Sequence, residues 1–209
     1  MVGGLLPDVE MDECVWDWFF DITAGANNLF HDSVAFRHGF MIFSGLLIDV
    51  LMVSQFFYFI FKKWNTWRYF LALAGFYGFW MIVQNLFLMK KPPGYLWEYP
   101  GFPSLVVPYD PTNDFFYSGH IGGSLITVLE WKEQGYWSMV IFGIVSMVVT
   151  FWLLVIAHVH FLCDIVAGFF IGHYMFIFAK MYAPYFDRVI CWIDRRKYRL
   201  YDKVMIGIH

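Results

Sequence analysis

Charge is scarce in this chain. Only 15% of its 209 residues are Asp, Glu, Lys or Arg, where a soluble domain carries about a quarter. A chain of one domain's length cannot cover its surface with so few charges, which excludes an ordinary soluble enzyme and a disordered protein. A basic excess is also lacking. The net charge is −3, so no positive field draws in a polyanion, and nucleic acid is not an expected partner. Cysteine is sparse, at 3 residues, which excludes a disulfide framework. There is no internal repeat or low-complexity tract. Met1–Leu6 has no basic residue and is followed by acids, so it does not read as a cleavable signal. What is abundant is apolar surface: 60% of residues are hydrophobic and 23% are aromatic. That composition belongs to an integral membrane protein.

A helix crosses the hydrocarbon core with about 20 apolar residues. Gly39–Phe61, Tyr69–Met89, Trp137–Ala157 and His160–Ala183 meet that requirement, and Phe115–Trp131, short and Gly-rich, meets it marginally. The runs are continuous rather than alternating, which argues against a barrel. The expected fold class is therefore all-α: a polytopic membrane helical bundle of about five transmembrane helices. Residues 1–36 form an acidic segment in which Cys14–Phe36, aromatic but bearing Asp17, Asp21 and Asp32, reads as an interfacial helix. Residues 37–183 form the transmembrane core, and 184–209 a basic tail. Lys90–Asp114 is the one long loop, rich in Pro and Gly. Residues 1–36 hold seven acids and no Lys or Arg, whereas three basic residues lie in Lys62–Arg68 and six in the tail. The expected orientation therefore puts the N-terminus outside or in a lumen and the tail in the cytosol, or in the matrix of a mitochondrion.

Polar side chains in such helices are costly and mark function by default. On this topology His120, His158, His160 and Asp164 reach one depth near the outer face. His160 and Asp164 are four apart, which on a helix stacks them on one side. The carboxylate can then accept from one ring nitrogen and leave the other as a nucleophile, with His120 supplying a proton to a leaving oxygen. An isolated His near a helix end more often makes a structural hydrogen bond. His38, His158 and His173 read that way, and Asp49 reads as a hydrogen-bonder to a neighbouring helix. Two imidazoles and one carboxylate could hold zinc, but no Cys or second carboxylate joins them, so neither a metal nor a cofactor is expected.

The segment Asp114-Phe115-Phe116-Tyr117-Ser118-Gly119-His120 resembles the Ser-Gly-His signature of the sphingomyelin synthase family, the lipid-transferase branch of the type 2 phosphatidic acid phosphatase superfamily. Ala157-His158-Val159-His160-Phe161-Leu162-Cys163-Asp164, with the small and aromatic residues from Ile165 to Tyr174, resembles that family's later motif. Leu6-Pro7-Asp8 is similar to its early Leu-Pro-Asp, and Arg68 with Ala74-Gly75 to the start of another of its spans. The order holds from about Leu5 to Ala183. Three departures stand out: the family's span before Leu-Pro-Asp has no counterpart, the loop before the third span is shorter, and Phe161 stands where the family usually has Tyr.

The resemblance implies a headgroup transfer from a phospholipid donor to a lipid hydroxyl, with His120, His160 and Asp164 as catalytic residues. It also implies Asp114, Tyr117, Ser118, Gly119 and Arg68 as substrate-binding residues. Phosphocholine or phosphoethanolamine would pass from a glycerophospholipid to ceramide or diacylglycerol through a phosphohistidine, on the lumenal or exterior face of the Golgi, endoplasmic reticulum or plasma membrane. The sister phosphatases add an Arg six residues before the second His and an Arg-Pro motif. This chain has Leu154 there and no Arg-Pro, which favours a phosphodiester donor over a phosphate monoester. Tyr95, Trp97, Tyr99 and Tyr109 could hold a quaternary ammonium, although interfacial aromatics are expected at any membrane boundary. The competing readings are a lipid phosphate phosphatase and a non-catalytic, phospholipid-binding subunit of a larger membrane complex, in the mitochondrial inner membrane for instance. Homo-oligomers and complex partners both remain open.

Overall fold

The computed structural model describes residues 17–61, 66–87, 91–109 and 116–206, with side chains as far as Val189. Leu6-Pro7-Asp8 and Asp114 lie outside the described residues. Six helices follow in order: α1 Trp18–Asp32, α2 Val34–Phe61, α3 Arg68–Leu86, α4 Gly119–Glu133, α5 Trp137–Ile156 and α6 Leu162–Ile206. Among the described residues there is no strand.

Four stretches are long and apolar enough to cross a membrane: α2, α3, α5 and Leu162–Val189 of α6. This is the helical bundle of an integral membrane protein. Its outward surface is apolar, with Phe43, Leu46, Phe57, Ile141, Ile144 and Phe170 all exposed, as suits lipid contact rather than water. The marginal third stretch becomes α4, whose 15 residues rise only about 22 Å against a hydrocarbon core of about 30 Å. It compensates by position. α4 is packed among α2, α3, α5 and α6, and nearly every residue from Ile121 to Trp131 is buried. A helix enclosed by protein can carry Ser124, Thr127 and Glu130, which a lipid-facing helix would not.

Glycine fixes how closely α4 and α6 approach. A Cβ on Gly168 would lie 2.5 Å from the Ser118 carbonyl oxygen, and one on Gly172 would lie 2.8 Å from the Gly122 carbonyl oxygen. Gly168 and Gly172 form a small-xxx-small pair that lets two backbones touch. The contact brings the start of α4 onto the start of α6, where the Ser118 amide donates to the Asp164 carbonyl at 3.0 Å.

From Asp17 onward, the segment expected to lie at the membrane surface divides at Ser33 into α1 and the first turn of α2. Asp17 caps α1 by accepting from the Phe19 amide at 3.0 Å, and its second oxygen accepts from the Leu162 amide at 2.5 Å. One carboxylate thus satisfies orphan N–H groups at the starts of two helices. Asn27 adds bonds to the carbonyls of Ile156 (2.8 Å) and Gly94 (3.0 Å). At the opposite end, Arg68 grips Glu130 through two bonds of 2.8 and 2.9 Å, and Lys180 donates to Glu133 at 2.7 Å. The basic tail expected from 184 onward continues α6 as helix to Ile206.

Candidate active site

The chain between α5 and α6 is only five residues long, Ala157 to Phe161, and a pair of backbone hydrogen bonds turns it. The His158 amide donates to the Val155 carbonyl (3.2 Å) and the Val159 amide to that of Leu154 (2.8 Å), the paired closure of a Schellman motif. The left-handed residue is His158, at φ 49°, a position usually held by glycine. Its side chain offsets the strain. Nδ1–H donates to the Pro93 carbonyl at 2.6 Å, and the ring stacks on Phe20 with centres 4.3 Å apart. Burial holds this imidazole below its ordinary pKa, against the opposing pull of the Pro93 carbonyl and Asp17. His158 is therefore structural, as expected.

His160 lies in this link and not on a helix, which corrects the helical stacking expected for His160 and Asp164. They meet for another reason. α6 begins at Leu162, and Asp164 in its first turn accepts the Phe161 amide through Oδ2 at 3.1 Å, half of a capping box. That folds the link back over the carboxylate, leaving His160 Nδ1 3.8 Å from Asp164 Oδ2, with both side chains almost wholly buried. The spacing is that of a charge contact when His160 is protonated, and is longer than a hydrogen bond.

His120, the second residue of α4, faces the same place. Its ring centre lies 6.2 Å from that of His160, at 67°, and Nε2 makes no hydrogen bond among the described residues. Ser118 is fully buried, and its Oγ is likewise without a partner among the described residues. Gly119 opens α4 between them. Tyr117 is buried with its hydroxyl donating to the Phe76 carbonyl at 2.8 Å, which makes it a tether for the Ser118–His120 segment. Arg68 is not with this group. It sits beside Glu130, ten residues past His120 and so about 15 Å along α4 at 1.5 Å per residue.

Sequence reading missed what covers the histidines. Asp49 does not reach a neighbouring helix. It accepts from Ser104 Oγ (2.7 Å) and from the amides of Leu105 and Val106 (3.0 Å each), anchoring the loop of residues 91–109 over the bundle. Trp97 on that loop places its ring 5.5 Å from His120 and 5.2 Å from Tyr109. Glu98 pairs with Arg37 and His38, and the Arg37 guanidinium, then His38, hold its carboxyl below the ordinary range. Asp49 was visible as a buried acid. Its partners were not, because backbone amides leave no mark in a sequence.

Two imidazoles with ring centres 6.2 Å apart, one of them beside a carboxylate, can attack and protonate a single bound group from two directions. No family model, curated protein or solved structure matches this chain.

Proposed function

We propose that the protein transfers a phospho-headgroup between membrane lipids, through five membrane crossings with α4 as the short central one and the histidine end facing outside or into a lumen. The observation that carries this reading is the meeting of His120 and His160, 40 positions apart in sequence, at ring centres 6.2 Å from each other beside Asp164. His160, with Nδ1 turned to Asp164, attacks the phosphorus of a glycerophospholipid through Nε2. The bond from phosphorus to the glycerol oxygen breaks, and that oxygen leaves with the proton of His120 as diacylglycerol. A second lipid then loses its hydroxyl proton to His120 and attacks the same phosphorus, and the P–N bond to His160 breaks. Asp164 stabilises the imidazolium formed on His160. In this reading Ser118 Oγ, buried without a partner among the described residues, donates to a phosphoryl oxygen. Donors carrying phosphocholine or phosphoethanolamine and acceptors such as ceramide or diacylglycerol are the substrate class.

One observation favours a non-catalytic lipid-binding subunit instead: Asp164 already has a structural task at the start of α6, which would retain it without catalysis. Purified protein in vesicles containing headgroup-labelled phosphatidylcholine and ceramide separates the two. Transfer by the wild type that is lost in His120→Ala and His160→Ala supports catalysis, and its absence from a well-folded wild type supports the subunit.

A further inference from the structure

Gln55, on α2, is fully buried, yet neither its Oε1 nor its Nε2 has a hydrogen-bond partner among the described residues. Such an amide is costly inside a membrane bundle, where no lipid atom can take the partner's place. Its neighbours show what it faces. Met52, one turn earlier, brings its methyl to 3.7 Å from the position a Cβ would take on Gly123. Tyr58, one turn later, sets its ring 5.3 Å from that of Trp131. Gln55 therefore stands opposite the part of α4 between Gly123 and Trp131, which holds Ser124 and Thr127. Ser124 Oγ is also buried without a partner among the described residues. Thr127 donates to the Gly123 carbonyl at 2.9 Å and meets the Tyr69 hydroxyl at 3.1 Å. His120, Ser124, Thr127 and Trp131 follow the i, i+4, i+7, i+11 spacing of one helix face, and the Trp131 contact turns that face to α2. His120 Nε2 and Trp131 Nε1 are orphans in the same sense. So is Ser146 Oγ, which borders the seam from α5. It lies one turn from Gly143, where a Cβ would be 2.4 Å from Val128 and 3.1 Å from Leu51.

We propose that this seam between α2 and α4 binds a file of water molecules, centred on the Gln55 amide and running from Trp131 to His120. Spacing argues for it. Successive members of the α4 face are about 4.5–6 Å apart along the axis. That is beyond direct hydrogen bonding and close to the ~5.6 Å that two bonds of about 2.8 Å span through one water. The chemistry selects water over other ligands. The Gln55 amide both donates and accepts, as does the Ser124 hydroxyl, and the Trp131 indole donates only. Neither Gln55 nor any member of the α4 face carries a carboxylate to hold a cation, or an ammonium or guanidinium to hold an anion. An acyl chain would leave all these groups unpaired. Water donates and accepts at each of them, and a buried water is held by several such polar partners. The outer end of the file is His120 Nε2, so the same water supplies that nitrogen's hydrogen bond. This inference is independent of lipid transfer.

The test is hydroxyl-radical footprinting of the full chain in phosphatidylcholine bilayers. An X-ray pulse splits water where it stands and oxidises the side chain beside it, so a buried aromatic residue is labelled where water is bound. Each rate is taken relative to that of the same residue in the unfolded chain. Trp131 and Tyr69 should be oxidised several times faster than Tyr117, which is equally buried but has its hydroxyl on the Phe76 carbonyl, off the seam. Gln55→Leu removes both amide functions and should bring Trp131 and Tyr69 down to the Tyr117 rate. Ser124→Ala, a smaller change, should lower them part of the way, and it carries the comparison if circular dichroism shows that Gln55→Leu loses its helices. Wild-type Trp131 and Tyr69 labelled no faster than Tyr117 would mean a dry seam and overturn the inference. So would a folded Gln55→Leu or Ser124→Ala protein labelled as the wild type is.

Discussion

His160 Nδ1 lies 3.8 Å from Asp164 Oδ2, and the same carboxylate oxygen accepts the Phe161 amide at 3.1 Å. One oxygen therefore closes the first turn of α6 and faces the imidazole that the turn delivers. Structural and chemical roles fall on one atom, and two substitutions separate them. Asp164→Asn keeps an oxygen for the Phe161 amide and removes the charge. Its melting temperature should stay close to wild type while headgroup transfer falls by roughly 10²–10⁴. Asp164→Ala should lose transfer as well as ~1 kcal/mol of stability, as other helix-capping losses do. Thermal melts paired with transfer rates on both variants read the split.

Backbone contact between α4 and α6 sets where His120 stands. Gly168→Ala would push a methyl to within 2.5 Å of the Ser118 carbonyl oxygen, and backbone cannot rotate away as a side chain can. Overpacking of this kind costs about 1–3 kcal/mol. It should also slow transfer, because Ser118 and His120 must retreat from α6. Gly39→Ala, whose Cβ has nothing within 4 Å, should be neutral or slightly stabilising in the same melt.

At the other end, Glu130 is buried with the Arg68 guanidinium as its counter-charge. Arg68→Gln leaves that carboxylate uncompensated and should cost about 3–5 kcal/mol. Arg68→Gln with Glu130→Gln should cost less than the sum of the two single changes. The single variants, measured below their melting temperatures, should bind phospholipid donor as the wild type does, because Arg68 lies far from the histidines. Weakened donor binding in a folded Arg68→Gln protein would return Arg68 to the substrate site.

Acid should loosen the junction of α1 with the α5–α6 link. Burial lowers the His158 pKa in the fold, so the unfolded chain takes up a proton first as pH falls. Stability is complete above the ordinary histidine value of about 6.5, declines as pH drops below it, and levels off below the folded value. The difference in melting temperature between wild type and His158→Gln, followed from pH 8 to 5, should shrink or change sign across that window. A pH-independent difference would contradict the lowered pKa.

Much of the bundle was legible because apolar runs of membrane length have few alternative uses. The boundaries of α2, α3 and α5 lie within a few residues of those runs. That His120, His160 and Asp164 come together was legible because polar groups are conspicuous in and beside such apolar runs. Their geometry was not. The four-residue spacing of His160 and Asp164 suggested a helical stack, whereas the contact arises from a capping turn. Left-handed backbone at His158 had no glycine to announce it. Gly168 and Gly172 did carry a readable small-xxx-small signal. The topology itself placed Arg68 at the far end, since the second span begins on the side opposite the start of the third. Asp17 and Asp49 bind amides whose location depends on the whole fold, and no local pattern reveals them.

The most direct test is chemical trapping of the covalent intermediate. Reconstituted protein is mixed with phosphatidylcholine labelled in its phosphorus, quenched in base before acceptor is added, and digested. A phosphodiester on the peptide containing His160, absent from His160→Ala and discharged by ceramide or diacylglycerol, is the result predicted for a transferase working through this imidazole. Undiminished transfer by His160→Ala would contradict it, as would a folded wild type that takes up no label from phosphatidylcholine or phosphatidylethanolamine.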